Sequence, residues 1–233
     1  MQKLHLNNKV FIKTTPCRGG FYGVYYCGME TLARLFGGQA RVRVMRLFLL
    51  NDEGSFEIDD IVNRVRMTRA NVRKEINILS SIGFIKHKIV TKEGYRGSKK
   101  KVTVWSLNPF FEHLSSLRDI LIDPNLLLRE NLPHRFRQAG KIKLMIVSGV
   151  FIGDKESRVD VMIIGDKLKK NILQQVIKNL EAEIGKELNY VIFDTEEFKY
   201  RLDMYDKLIC DVIDLPHEVL IDNGQLSTYI SKK

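Results

Sequence analysis

The stretch 58–85, IDDIVNRVRMTRANVRKEINILSSIGFI, holds two helical periods separated by a short break. In its first part Ile58, Ile61, Val62 and Val65 recur on one face, and in its second Val72, Ile76 and Leu79 recur at i, i+4 and i+7. Met67 and Thr68 interrupt the pattern. Thr68 is placed to cap the second helix, and Ser55 or the residues just after it to cap the first, because a side-chain oxygen there can accept the unpaired amides of a first turn. Gly83 ends the second helix. Its apolar stripe leaves Arg69, Ala70, Asn71, Arg73, Lys74 and Asn77 pointing away from the core.

Upstream, Leu32, Leu35 and Phe36, then Val42, Val44, Met45, Leu47, Phe48 and Leu49, recur at helical spacing and stop at Asn51-Asp52-Glu53-Gly54. Gly37-Gly38 divides them into a short helix and a longer one. Residues 1–29 read as an extended arm or small hairpin with four aromatics between Phe21 and Tyr26. Downstream, FIKHKIV and KKVTVWSL are two β-branched and aromatic runs separated by TKEGYRGSK, so a hairpin with a cationic tip is expected. Asn108-Pro109 closes it. Phe110, Leu114, Leu117 and Leu121 then form a helical stripe over 108–123 that either packs on the preceding unit or pairs with its copy in a second chain.

Helix, helix, helix and basic hairpin in that order resemble a winged helix-turn-helix domain over residues 30–107. The resemblance implies a recognition helix that enters the DNA major groove by its amino-terminal turns. Arg69, Asn71 and Arg73 are then placed for base edges, with Asn77 further along the same face, and Thr68 and Lys74 for phosphates. On the wing, Lys92, Arg96, Lys99, Lys100 and Lys101 flank Gly94 and Gly97, a tip suited to a phosphate backbone or a minor groove.

The charge distribution agrees. Of 233 residues, 38 are Lys or Arg and 28 Asp or Glu, a net +10. Residues 1–107 hold 20 bases and 8 acids, whereas residues 108–233 hold 18 and 20, so the first half carries +12 and the second −2. Clustered cations displace counterions from phosphates, which points the first half at a polyanion. The longest nearly uncharged apolar run, LMIVSGVFIG from Leu144, is about half of the roughly 20 residues a membrane helix needs, and MQKLHLNNK lacks a signal peptide's apolar core. A soluble cytoplasmic protein with no membrane partner is the expectation. Cys17, Cys27 and Cys210 form no CxxC pair and the five histidines have no metal-ligand spacing, so neither a disulfide framework nor a metal or other cofactor is expected.

In the second half, Asp123-Pro124 opens a helix that ends by Gly140. From Lys143 the order is strand (KLMIV), tight turn (148–153), strand (VDVMII), helix (167–184), strand (NYVIF) and helical segments through Tyr200 and Cys210, which is a mixed α/β arrangement. The stretch MIVSGVFIGDKESRVDVMIIGD resembles a minimal nucleotidyltransferase core, whose pattern is a Gly-Ser turn followed by Asp-x-Asp on the next strand. Carboxylates at i and i+2 of a strand share a face and together hold two metal ions, with a third acid from a neighbouring strand. Here the pair reads Arg158-Val159-Asp160, the turn reads Ser148-Gly149 in reversed order, and the neighbouring strand offers Asn189. An ion pair between Arg158 and Asp160 is expected to replace the metal, leaving Ser148, Gly149, Arg158 and Asp160 as a vestigial nucleotide site without catalytic residues.

The sequence therefore predicts an α+β chain. An N-terminal winged helix-turn-helix (30–107) is followed by a mixed α/β nucleotidyltransferase-like domain (124–233). The expected protein is a sequence-specific, homodimeric regulator of transcription on double-stranded DNA. Its catalytically inactive second domain would serve dimerisation or the sensing of a small-molecule ligand. An active nucleotidyltransferase that modifies a protein or RNA, and an RNA-binding scaffold, are the alternatives, because a fold does not fix function.

Overall fold

The computed structural model describes residues 27–93, 99–122, 132–154, 156–223 and 226–230, and among them the chain is a mixed α and β structure with two sheets. The first sheet belongs to a unit made of α1 (Cys27–Phe36), α2 (Gln39–Leu50), β1 (Ser55–Phe56), α3 (Ile58–Val65), α4 (Arg69–Ser81), β2 (Ile85–Glu93), β3 (Lys99–Leu107) and α5 (Leu114–Leu121). Gly37 and Gly38 separate α1 from α2 at φ of 86° and 145°, backbone that side chains with a Cβ rarely adopt. Leu47, Phe48, Val65, Val72, Ile76, Leu79, Phe84 and Leu107 form the core, so the helical stripes read from the sequence are largely the buried ones, with the exception of Leu35, which is exposed.

β1 was not foreseen. Ser55 and Phe56 pair with Ser106 and Trp105, giving a three-stranded antiparallel sheet in the order β1-β3-β2. Because Ser55 lies in extended, paired backbone, it is not a helix cap. The cap is Glu57, one of the residues just after it, whose backbone N–H donates to Asp60 Oδ2 at 3.1 Å. Thr68 caps α4 as expected, its Oγ1 accepting the Asn71 N–H at 3.4 Å.

Leu114, Leu117 and Leu121 of α5 pack on this same core, which resolves the two alternatives for that stripe. Phe110 is not part of it. It precedes the helix, sits 86% exposed, and its inward place is taken by Phe111, whose ring meets that of Phe84 edge-on at 5.5 Å. The Asn108 side chain sets this turn, since its Oδ1 accepts the Phe110 N–H at 3.2 Å and its Nδ2 donates to the Gly83 carbonyl at 2.8 Å.

The second unit comprises α6 (Leu132–Arg135), a 3-10 turn (Arg137–Ala139), β4 (Lys141–Val147), a 3-10 turn (Gly149–Phe151), β5 (Val161–Asp166), α7 (Lys170–Ile184), β6 (Tyr190–Phe193), α8 (Thr195–Asp203), α9 (Lys207–Asp214), β7 (Glu218–Asp222) and α10 (Ser227–Ile230). The sheet runs β6-β5-β4-β7, parallel between β5 and β6 and antiparallel elsewhere. β4 and β5 are central and covered on both faces, so they read as unbroken apolar runs. Met145, Val147, Val161 and Ile163 meet α7, whereas Leu144, Ile146, Met162 and Ile164 meet the α8 and α9 side. Two expectations change here. The helix expected up to Gly140 is present only as α6 and the following 3-10 turn among the described residues, its first part at 123–131 lying outside them. β7 was not read as a strand; it completes the sheet beside β4.

Candidate nucleic-acid interface

α4 buries Val72, Ile76 and Leu79 and turns Arg69, Asn71, Arg73, Lys74 and Asn77 outward, all exposed. Its acid, Glu75, is buried and held by Arg41 Nε at 2.7 Å, so the outward face carries no carboxylate. Thr68 is exposed at the start of this helix, with its hydroxyl occupied by the cap. β2 and β3 continue the cationic surface. Their register sets Lys92 directly across from Lys100, Thr91 across from Lys101 and Glu93 across from Lys99. Like charges opposed on one face of a hairpin repel, and here Glu57 offsets the Lys92 charge. Arg96 and the two wing glycines lie outside the described residues.

The nominated cations are not equivalent. Arg69 is ion-paired with Asp59, and Lys92 with Glu57, both acids belonging to the amino-terminal end of α3. The hydrogen bond it donates to Glu57, followed by the charge of that carboxylate, holds the Lys92 ammonium above the usual lysine range. Arg73, Lys74, Lys99, Lys100 and Lys101 form no ion pair among the described residues. Five cations with free charge therefore flank two whose charge is held in reserve.

The sequence reading missed a second group of bases. Arg64 and Arg66 at the end of α3 and Lys178 and Lys186 in and just after α7 line one cleft of about 390 Å³ between the two units. Arg66, closing α3 at φ 52°, donates from Nη1 to Asn179 Oδ1 at 2.8 Å. Linear spacing gave no signal for this, because the two pairs are more than a hundred residues apart.

The four residues singled out in the second unit come together differently from the expectation. Arg158 precedes β5 and reaches Asp211 of α9 at 3.2 Å. The expected Arg158–Asp160 pair is absent because the residues lie in irregular chain ahead of the strand and their side chains diverge. Asp160 is 4% exposed, its Oδ1 accepting the Val150 N–H and its Oδ2 the Asn189 N–H, both at 2.9 Å. Ser148 donates from Oγ to the Val159 carbonyl. Gly149 adopts φ 55°, and a Cβ there would stand 2.2 Å from Asp160 Oδ1. Asp160 thus clamps the 148–153 turn to the start of β6.

Among the described residues no group of three or more His, Cys, Asp or Glu side chains is placed to hold a metal ion, and no helix is long and apolar enough to cross a membrane. No protein-family model matches the chain, and no curated protein matches it in sequence.

Proposed function

We propose that the chain is a sequence-specific double-stranded-DNA-binding regulator of transcription, with a winged helix-turn-helix first unit and a nucleotidyltransferase-like second unit that has no transfer chemistry. The observation that carries the proposal is the acid-free outward face of α4, where Arg73 and Lys74 stand without an ion pair beside the opposed lysines at the hairpin end. A helix presenting Arg and Asn from its first two turns matches the width and donor pattern of a major groove, and a lysine-tipped hairpin matches flanking phosphate. One such unit covers little DNA, so the protein binds as a two-fold dimer on paired half-sites.

The second unit supports the same reading through Asp160, whose oxygens are committed to backbone amides inside the fold. Its sheet then serves as scaffold. The test is selection of bound duplexes from a random-sequence pool, followed by binding of the enriched duplex to the full chain and to a Lys99→Ala/Lys100→Ala/Lys101→Ala variant. A shared enriched motif is expected, with the variant weaker on every duplex and its salt slope shallower by about 0.9 per lost phosphate contact. Enrichment of no motif, together with tighter binding to single-stranded RNA of the same sequence, would replace this reading with an RNA scaffold.

A further inference from the structure

Taken as a whole the second unit is close to neutral, yet α7 presents a more basic surface. From Lys170 to Asn179 its outward residues are Lys170, Asn171, Gln174, Gln175, Lys178 and Asn179, cations and amides without a carboxylate among them. The acids of the helix lie near its other end and are engaged. Glu183 is buried against Arg43 and Arg135, and Glu181 Oε1 accepts the Leu188 N–H at 3.0 Å. Beyond the helix, Glu187 is paired with Arg64 at 2.9 Å. Lys178 and Lys186 form no ion pair among the described residues.

This surface is continuous with the proposed recognition surface. Arg66 stands in the turn between α3 and α4, three residues before Arg69, and its hydrogen bond to Asn179 joins that turn to the exposed side of α7. The cleft between them is lined by four bases, Arg64, Arg66, Lys178 and Lys186, and by two acids, Glu181 and Glu187, both engaged as described above. In helix-turn-helix docking the turn lies over the phosphate backbone beside the groove, so DNA seated on α4 passes close to this cleft.

We propose that α7 is a second DNA-contacting surface, with Lys178 and Lys186 binding the backbone phosphates that flank the site read by α4. The charge complementarity is specific to a backbone. Lys170 and Lys178, interspersed with amides along a helix of about 22 Å, and Lys186 just beyond its end match a line of phosphates extending over roughly six base pairs. The second unit then lengthens the footprint without reading sequence. The proposal rests on the DNA-binding reading above.

The experiment compares two duplexes with the same selected central sequence, one of about 14 base pairs and one extended by about 10, titrated with KCl against the full wild-type chain, a Lys178→Gln/Lys186→Gln variant and a Lys207→Gln control. Lys207 is exposed on α9, across the sheet from α7. Wild type and control are expected to show a steeper salt slope on the longer duplex, and the double variant to lose about 1.8 of that slope while binding the short duplex normally. Raising KCl fourfold then costs the wild type about 12-fold more affinity than the double variant on the long duplex. Unchanged thermal midpoints confirm that both variants fold. Equal slopes for wild type and double variant, with the short duplex still bound, overturn this inference alone. Failure of the wild type to bind either duplex overturns the DNA-binding reading and this inference together.

Discussion

Arg46 of α2 donates from Nη1 to the carbonyl oxygen of Glu183, in the last turn of α7, at 2.9 Å, and so ties residues 137 positions apart. Its Nε donates to the Leu121 carbonyl at 2.8 Å, adding the end of α5 to the same joint. The side chain is 1% exposed, and burial pushes its guanidinium down to about 10, an effect that the Glu183 charge opposes. Beside it Gly185, at φ 91°, lets α7 approach α2 so closely that a Cβ there would lie 2.5 Å from the Leu47 nitrogen. Asn51 closes the contact by donating to the Gly185 carbonyl at 2.8 Å. The two units are joined by a buried polar lock.

Removing Arg46 tests that lock. Arg46→Ala deletes these two hydrogen bonds among others, leaves two carbonyls unpaired and opens a cavity, so a loss of about 3–5 kcal/mol is expected. Urea unfolding followed by intrinsic fluorescence and by circular dichroism measures it. Wild type should give coincident curves, and the variant curves that separate as the units lose their coupling. A variant within about 0.5 kcal/mol of wild type would show that the joint is held by apolar contact alone.

A second prediction concerns Asp160. In Asp160→Asn, one of the two backbone amides now accepted by carboxylate oxygens faces an NH₂ group, and a loss of about 1–3 kcal/mol is expected. Gly149→Ala should destabilise the same turn, since its Cβ meets Asp160 Oδ1. Calorimetry with magnesium is expected to show no binding heat in the wild type at this site. Heat that disappears in Asp160→Asn, or nucleotidyl transfer from any labelled triphosphate that does so, would restore the enzyme alternative.

How far the sequence discloses all this depends on the range over which each feature is specified. The outward set on α4 follows from Val72, Ile76 and Leu79, a pattern complete within eight residues, and Thr68 caps the helix for purely local reasons. β1 is two residues long and exists only through its pairing with Ser106 and Trp105, some fifty positions away. β7 reads EVLID, half-exposed at a sheet edge, and lacks the apolar run that marked β4 and β5. Phe110 and Phe111 are indistinguishable by composition, and the Asn108 turn decides which goes inside. Arg46, in an otherwise apolar stretch, reads as surface because its partners are backbone carbonyls of other elements. The Arg158 to Asp211 pair was hidden by distance along the chain, its two side chains lying some fifty positions apart.

The third prediction separates base reading from phosphate binding on α4. Arg73 is exposed with its charge unpaired, one turn inside the helix start, so Arg73→Ala should cost about 1–3 kcal/mol on the preferred duplex and relax preference at one base pair. Affinity across single-base variants of that duplex measures it. Equal losses on every variant would make Arg73 a phosphate contact.

The last prediction arises from the ion pairs that hold two of the nominated cations. Arg69 cannot meet a base edge while it is bound to Asp59, and a phosphate approaching α4 also approaches that carboxylate. Both groups are exposed, so the pair itself contributes only about 0.2–1 kcal/mol, and freeing Arg69 returns an amount of that size to DNA binding. Asp59→Asn is therefore expected to tighten duplex binding about two- to fivefold at low salt, the gain shrinking as salt screens the lost repulsion. Asp59 is the suitable position. Glu57, the acid paired with Lys92, also caps α3, so its replacement would alter the helix as well as the charge. Asp59 lies in the first turn of that helix, where an acid favours the helix dipole, so a small fall in thermal midpoint should accompany the gain in affinity. Fluorescence anisotropy at two salt concentrations measures the binding change. Unchanged affinity in Asp59→Asn, with Arg69→Ala also without effect, would place the amino-terminal turn of α4 outside the contact and move the groove-reading residues to Arg73 and Asn77.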